Sequence, residues 1–255
     1  MYVFDNAAPQ APARLAALAD VHDGGTIRHL LALGVTRGWR CLEVGGGLGT
    51  ITRWLSDRVG AEGHVLTTDI DTRFLEKIGR SNVEVRLHDI VNDALPDSTF
   101  DIAYARLVLE HVSDPDVAID RMLMAVRPGG WLMIEDFEVR SIRPDDPQES
   151  LSKTMAAMRE VTAKAGTHPR LGMSLGRRLR ARGLVDLGHE GRVQLCRGNS
   201  DAARLARLNF EQLRDAILAT GVTSDEFEAD LARLGDEEFE WRSPTLWTAW
   251  GRRPG

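Results

Sequence analysis

Cysteine is scarce in this chain. Only Cys41 and Cys196 occur among 255 residues; they are far apart and each sits in an apolar, strand-like run. That excludes a disulfide framework and suits small core residues in a reducing compartment. No Cys/His cluster has metal-ligand spacing, so no metal is expected. No apolar run is long enough to span a bilayer, and Met1-Tyr2-Val3-Phe4-Asp5-Asn6 lacks the basic and apolar regions of a secretory signal. Positive net charge is missing as well. A formal charge of −6 argues against a nucleic-acid partner, which needs clustered Lys and Arg to neutralise phosphate. The one basic stretch, Arg177-Arg178-Leu179-Arg180-Ala181-Arg182, interleaves with apolar residues and reads as the solvated face of a helix. Repeats, low-complexity tracts and long linkers are absent. A cytoplasmic enzyme with a small-molecule partner, and neither membrane nor nucleic acid, is the expectation.

What is present is concentrated in one turn. The strand-like Trp39-Arg40-Cys41-Leu42-Glu43-Val44 runs straight into Gly45-Gly46-Gly47-Leu48-Gly49 and then a helical period from Thr50. Glycines at a strand-to-helix turn allow positive φ and let backbone N–H groups approach a ligand without a Cβ in the way. Read alone, such a turn also fits a dinucleotide site or a plain tight bend, but the third glycine of the dinucleotide pattern is replaced by Thr50. Glu43, two residues ahead of Gly45, is ill suited to phosphate and well suited to a ligand carrying positive charge.

The same alternation continues along the chain. Strands are expected at Arg40–Val44, His64–Thr68, Val83–Leu87, Phe100–Ala105 and Trp131–Phe137, with helices at Leu48–Val59, Thr72–Ile78 and Asp116–Val126 between them. That order implies βαβ crossovers and a mostly parallel sheet. Arg127-Pro128-Gly129-Gly130 reads as a sharp turn into the fifth strand. Two helices, Ala11–Asp20 and Thr26–Leu33, precede this core. After it come a loop at Arg143–Pro147, a helix from Glu149 to Ala165, a helix at Leu171–Arg182 and a strand region at Leu184–Arg197. Helical segments at Asp201–Ala219 and Ser224–Leu234 precede a last strand, Thr245–Gly251. The late helices are placed to cover the carboxyl ends of the sheet, where open α/β folds bind ligands.

Three further acids fall at strand ends. Asp69 closes the second strand, where a carboxylate can accept both hydroxyl hydrogens of a ribose; Asp71 fits a helix N-cap before Thr72 equally well. Asp89, in His88-Asp89-Ile90, can accept from an exocyclic amino group while Ile90 packs on an adenine face, or can simply serve a turn. Asp101 opens the fourth strand at the opposite end of the sheet and suits a structural role.

Taken together, Glu43-x-Gly45-x-Gly47-x-Gly49, Asp69, Asp89-Ile90, Phe100-Asp101 and Arg127-Pro128-Gly129-Gly130 resemble the class I S-adenosylmethionine-dependent methyltransferases. The resemblance is strong over residues 38–137 and weaker to Leu246–Gly251; the whole chain looks like bacterial small-molecule methyltransferases with a helical cap. It implies an α/β fold with a doubly wound seven-stranded sheet, mostly parallel with the last strand antiparallel, and cap insertions after strands five and six. The implied division is an N-terminal helical segment (1–37), a Rossmann-like cofactor-binding core (38–140, continued at 171–198 and 241–255) and cap insertions at 141–170 and 199–240. Gly45, Gly47 and Gly49 would then admit the methionine part of S-adenosylmethionine, with Glu43 near its amino end. Asp69 would take the ribose hydroxyls, Ile70 one adenine face, and Asp89 with Ile90 the adenine edge. Ala105 and Arg106 would line the methionine side, with Arg106 placed to pair its carboxylate. The product would be S-adenosylhomocysteine.

The implied chemistry is methyl transfer to an O or N atom of a small metabolite in specialised metabolism. Ala105-Arg106-Leu107-Val108 stands where nucleobase-amine methyltransferases carry Asp/Asn-Pro-Pro-Tyr/Phe. His111, after the fourth strand, and His168, in Gly166-Thr167-His168-Pro169-Arg170, are the candidate general bases; each also fits a packing or loop role. His22 and His29 could face the pocket entrance, and Tyr2 and Phe4 could fold over the cofactor. Apolar helices leave a homodimer open. The competing readings are a non-catalytic S-adenosylmethionine-binding or scaffolding protein and a nicotinamide-dependent oxidoreductase, which Glu43 and the missing glycine disfavour.

Overall fold

The computed structural model describes residues 3–139 and 152–255. Strands β1 (Arg40–Val44), β2 (His64–Asp69), β3 (Val83–Leu87), β4 (Phe100–Arg106) and β5 (Val126–Glu138) form where alternation predicts them. Two late strands, β6 (Val185–Arg192) and β9 (Thr245–Arg252), complete a seven-stranded sheet in the order β3-β2-β1-β4-β5-β9-β6. Neighbours among β1 to β5 pair in parallel, whereas β9 runs antiparallel to both β5 and β6. The central strands are buried along most of their length, as a sheet covered on both faces requires. A separate ribbon pairs β7 (Leu195–Arg197) with β8 (Glu240–Arg242).

Helices α2 (Thr50–Val59), α3 (Pro115–Ala125) and α5 (Leu171–Ala181) pack on the sheet. Asp114 caps α3 by accepting from the Asp116 and Val117 N–H groups, with Pro115 in the first turn. Leu171, Leu175 and Leu179, spaced by four, form the buried stripe of α5. On its other face Arg178 and Arg182 reach Asp116, and Arg182 also binds Asp120. The basic stretch is therefore only partly a solvated face; half of it grips α3.

A second core lies in the late helices. α4 (Ser152–Lys164), α6 (Asp201–Gln212), α7 (Arg214–Leu218) and α8 (Ser224–Arg233) gather around Phe210, Ile217, Phe227 and Phe239, joined by Phe4. The α4 hydroxyl of Thr154 donates to Asp230 of α8, and Thr223 with Glu226 forms a capping box at the start of α8. The loop expected at 143–147, residues 149–151 of the expected helix, and Tyr2 lie outside the described residues.

Four expectations are corrected. The two N-terminal helices are one, α1 (Ala11–Ala32), which continues through Gly24 and Gly25. At Gly25 a Cβ would stand 1.2 Å from the Arg192 guanidinium, so the glycine between the two expected segments admits a side chain from β6. Thr72–Ile78 is a turn rather than a helix: Gly79 at φ +59° ends it before a second turn could repay helix nucleation. Asp71 accordingly binds the Arg73 backbone and side chain instead of capping a helix. Residues 127–130 belong to β5, because Gly129 N–H donates to Arg253 O and Arg253 N–H donates to Gly130 O. The strand region 184–197 splits into β6 and β7, which serve different sheets.

Two glycine substitutions separate packing from propensity. A Cβ at Gly172 would lie 2.2 Å from the Asp136 carbonyl oxygen, whereas Gly24 has nothing within 4 Å. Gly172→Ala is expected to lower unfolding free energy by about 1–3 kcal/mol. Gly24→Ala, mid-helix and exposed, should raise it by about 0.5–1 kcal/mol. Urea denaturation with an unchanged slope checks both.

Candidate active site

A cavity of about 510 Å³ opens at the carboxyl ends of β1, β2 and β4, beneath the cap, within the range of roughly 300–1,000 Å³ usual for small-molecule sites. Its floor is the glycine turn. Gly45, Gly47 and Gly49 all have φ between +53° and +76°, and the Gly45 and Gly46 N–H groups both donate to Thr68 O. A Cβ at Gly45 would fall 2.1 Å from Val108 Cγ2, so the strand-to-turn passage requires glycine there. At Gly47 the nearest side-chain atom would be 3.8 Å away, leaving that backbone open to the cavity.

Of the sequence-derived site residues, Glu43, Gly45, Gly47, Asp69, Ile70, Asp89, Ile90, Arg106 and His111 line the cavity. Gly49 lies behind it, capping α2 and approached by Ile78. Ala105 is fully buried in the sheet core and His168 is not on the wall, although its neighbours Thr167 and Pro169 are. His168 Nε2 instead lies 3.0 Å from Val112 O, and its N–H donates to Glu110 O; it ties the loop before α5 to the turn after β4.

The acids are held in distinct ways. Glu43 is buried and accepts from the Thr52 hydroxyl, which also contacts Thr67 Oγ1 at 3.2 Å. Burial pushes the Glu43 carboxyl up to about 7, against the Thr52 hydrogen bond and Arg106, which favour its charge. Asp69 spans the turn, Oδ2 accepting from Gly47 N–H at 2.9 Å and Oδ1 from Asp71 N–H at 3.1 Å. Burial raises it, with these two N–H groups opposing. At Asp89 burial also works against the charge, but Val91 N–H and the Asn92 amide outweigh it and hold the carboxyl low. Each carboxylate oxygen keeps a second lone pair for a ligand. Asp101 accepts from Arg40 N–H and Arg127 Nε, both at 2.6 Å, and serves the opposite end of the sheet.

Arg106 is already engaged. Its guanidinium donates to Thr26 Oγ1 at 2.8 Å and Asp23 Oδ1 at 2.7 Å, both on α1. Thr26 in turn donates to the buried Glu135 at 2.5 Å, and Glu135 also receives Arg192 and Thr248. α1 is thereby fixed across the cavity and presents Arg14, Leu15, Leu18, Ala19 and His22 to it. His22 was read as able to face the entrance and does line the cavity, whereas Arg14, Leu15, Leu18 and Ala19 were missed from the sequence, where the signal was an Arg eight residues before that His on one apolar helix. His29, two turns further along α1 and off the cavity wall, packs on Trp250 near Glu190. Phe4 lines the cavity under the Arg14 guanidinium, 4.3 Å away.

Two cavity imidazoles are held neutral. Burial, then Arg106 and Arg192, pushes His22 down to about 3; burial, then Arg14 and His168, lowers His111 to about 4. The cap contributes Met155, Met158, Leu205, Phe210 and Trp241, a mostly apolar wall. Cys41 is a core residue as expected, whereas Cys196, also buried, forms part of the wall.

The methyltransferase-domain family matches residues 7–187, more than half of the chain. The chain belongs to the class I S-adenosylmethionine-dependent methyltransferases. The ubiquinone/menaquinone biosynthesis C-methyltransferase UbiE of Idiomarina loihiensis is 38% identical over 113 residues, 41% of this chain and 45% of that protein. The chain thus spans about half the length of the curated relatives it matches. A putative methyltransferase from Bacillus halodurans superposes with a TM-score of 0.58 at 14% identity, covering 89% of this chain and 98% of that one. The Haemonchus contortus phosphoethanolamine N-methyltransferase 2, solved with phosphomonomethylethanolamine and S-adenosylhomocysteine, gives 0.57 at 16%, covering 96% and 53%. At these identities the two solved structures share the fold. No described helix is long and apolar enough to cross a membrane.

The raised Glu43 carboxyl fixes a pH dependence. Its folded value of about 7 lies above the ordinary 4.5, so its contribution to stability is complete below pH 4.5 and is lost as pH rises through 7. Between pH 5 and 8, Glu43→Gln should gain on the natural protein by roughly 3 kcal/mol in unfolding free energy. Paired denaturation curves at the two pH values measure it; no relative gain would show that Glu43 is ionised without penalty.

Proposed function

We propose that this chain transfers the methyl group of S-adenosylmethionine to an O or N atom of a small, largely apolar metabolite held between the cap and the carboxyl ends of the sheet. The observation that carries the reading is one continuous cavity. It runs from the open glycine turn and strand-end acids to an apolar cap wall containing two neutral imidazoles. A specialised metabolite, apolar in bulk with one ionisable group, suits such a chamber.

The glycine turn, with Gly47 bare toward the cavity, supports placement of the methionine portion there, its ammonium toward Glu43. Asp69, with a free lone pair on each oxygen, supports the ribose position. The exposed Ile70 and the buried Ile90, with Asp89 beside them, support the adenine position. Arg106 is committed to Asp23 and Thr26, so its part here is to hold α1 over the methionine end. When bound, the cofactor supplies an electrophilic methyl on a sulfonium, ready for in-line displacement. The chain's own contribution is alignment, exclusion of water by α1 and the cap, and a group to take the acceptor's proton. Carbon as the acceptor atom is the second reading, favoured by the UbiE relatives, which are named C-methyltransferases.

Isothermal calorimetry tests the cofactor placement. Asp69→Ala and Asp89→Ala are expected to weaken S-adenosylhomocysteine binding at least tenfold, about 1.4 kcal/mol, with unchanged circular dichroism. Unaltered affinity in both would remove the assignment. A screen of phenol, amine and enol acceptors with radiolabelled cofactor tests the transfer; cofactor binding with no acceptor consumed would favour a non-catalytic binding protein.

A further inference from the structure

One pair of buried acids has no part in holding the cofactor. Glu110, in the 3-10 turn Leu109–His111 after β4, and Asp136 on β5 meet behind the cavity wall. The Glu110 N–H donates to Asp136 Oδ1 at 3.4 Å. Glu110 is 8% and Asp136 0% exposed. Asp136 Oδ2 is buried without a hydrogen-bond partner among the described residues. Glu110 lines the cavity, and its Oε1 stands 3.4 Å from His111 Nε2. Anchoring the turn accounts for Asp136, which receives its backbone. It does not account for a second carboxyl on the cavity wall, where a hydrophobic side chain would avoid the cost of desolvation.

We propose that Glu110 is the group that takes the proton released by the methyl acceptor, with Asp136 as its buried positioning partner. This rests on the methyl-transfer reading above. The acceptor X–H gives its proton to a Glu110 carboxylate oxygen, and the X–H electron pair stays on X. A lone pair of X forms the new X–C bond to the methyl carbon while the C–S pair remains on sulfur. The negative charge on X cancels the positive charge of the sulfonium, and the proton remains on Glu110 until it leaves through the cavity.

Electrostatics agree with this geometry. Burial pushes the Glu110 carboxyl up to about 8. Asp136 is raised well above the ordinary carboxylate range, by burial first and then by the charges of Glu110 and Glu135, against the N–H groups of Glu110 and Leu109. Two acids so close release their protons in sequence, so Glu110 ionises beside a protonated Asp136. His111 stands on its own turn, His168 N–H donates to its backbone carbonyl, and Arg14 of α1 and Arg159 of α4 line the same cavity. His111, lowered to about 4, is the weaker base of the two and stays neutral beside the acceptor.

The test uses the full chain, an acceptor found in the screen above, and saturating cofactor between about pH 6 and pH 9. The natural protein's turnover should rise with pH to a midpoint near 8. Glu110→Gln should lower kcat about 100-fold or more with cofactor affinity unchanged, and Glu110→Asp should restore part of it with a shifted midpoint. Independently of acceptor and cofactor, carbon-13 NMR of labelled carboxyl groups should show a signal titrating near pH 8 that disappears in Glu110→Gln. If Glu110→Gln keeps turnover within about threefold, or if no such signal is lost, the proposal fails and methyl transfer stands. Should Glu110→Gln not fold, an unshifted midpoint in Glu110→Asp overturns it equally. No turnover by the natural protein with any acceptor overturns both readings.

Discussion

The cavity depends on the clamp that holds α1 across the sheet. Arg106, nearly buried at the end of β4, keeps its charge against the cost of burial because the Asp23 and Glu135 carboxylates favour it. Asp23 and Thr26 belong to α1, and Thr26 passes the connection on to Glu135, where Arg192 and Thr248 join it. Removing one partner from such a buried set strands a charge, typically at about 3–5 kcal/mol. α1 therefore has one seating on the sheet. That seating puts Arg14, Leu18 and His22 over the cavity.

With α1 in place the chamber is walled on that side, and burial drives four of its titratable groups toward their neutral forms. Burial lowers His22 and His111 and raises Glu43 and Glu110. A sulfonium nucleoside brings its own positive charge and its own reactivity. A site that aligns it, excludes water and keeps a weak-acid carboxyl at the wall is matched to that chemistry. The same buried acids make the fold less stable as pH rises through 7, so stability and the capacity to accept a proton pull in opposite directions at these positions.

The strand-end side of the cavity was legible because each of its signals is local. A glycine turn after a strand, and acids at successive strand ends, are positions counted along the chain, and βαβ repetition brings successive carboxyl ends to one edge. Gly45, Gly47, Asp69, Asp89 and Ile90 consequently fall on one cavity. The failures are equally physical. Two helices were expected on either side of residues 21–25, yet α1 runs through them, with Arg192 packed against Gly25. Arg106, which the family resemblance put opposite a ligand carboxylate, pairs with Asp23 of α1, 83 residues away in sequence. His168 faces Val112 O rather than the cavity for the same reason: a contact between distant loops has no local sign.

By itself the sequence determined the alternating α/β core, the glycine turn and the order of strand-end acids that line the cavity, since these follow from period, φ and spacing within short segments. Tertiary structure alone decided that β9 inserts between β5 and β6 and that β7 and β8 leave the main sheet. It alone brought α1 and the late helices together around the cavity, and placed Glu110 beside Asp136 and His111. Strand order, burial and the pairing of charges remote in sequence depend on how faces pack against one another, and no stretch of chain contains that information on its own.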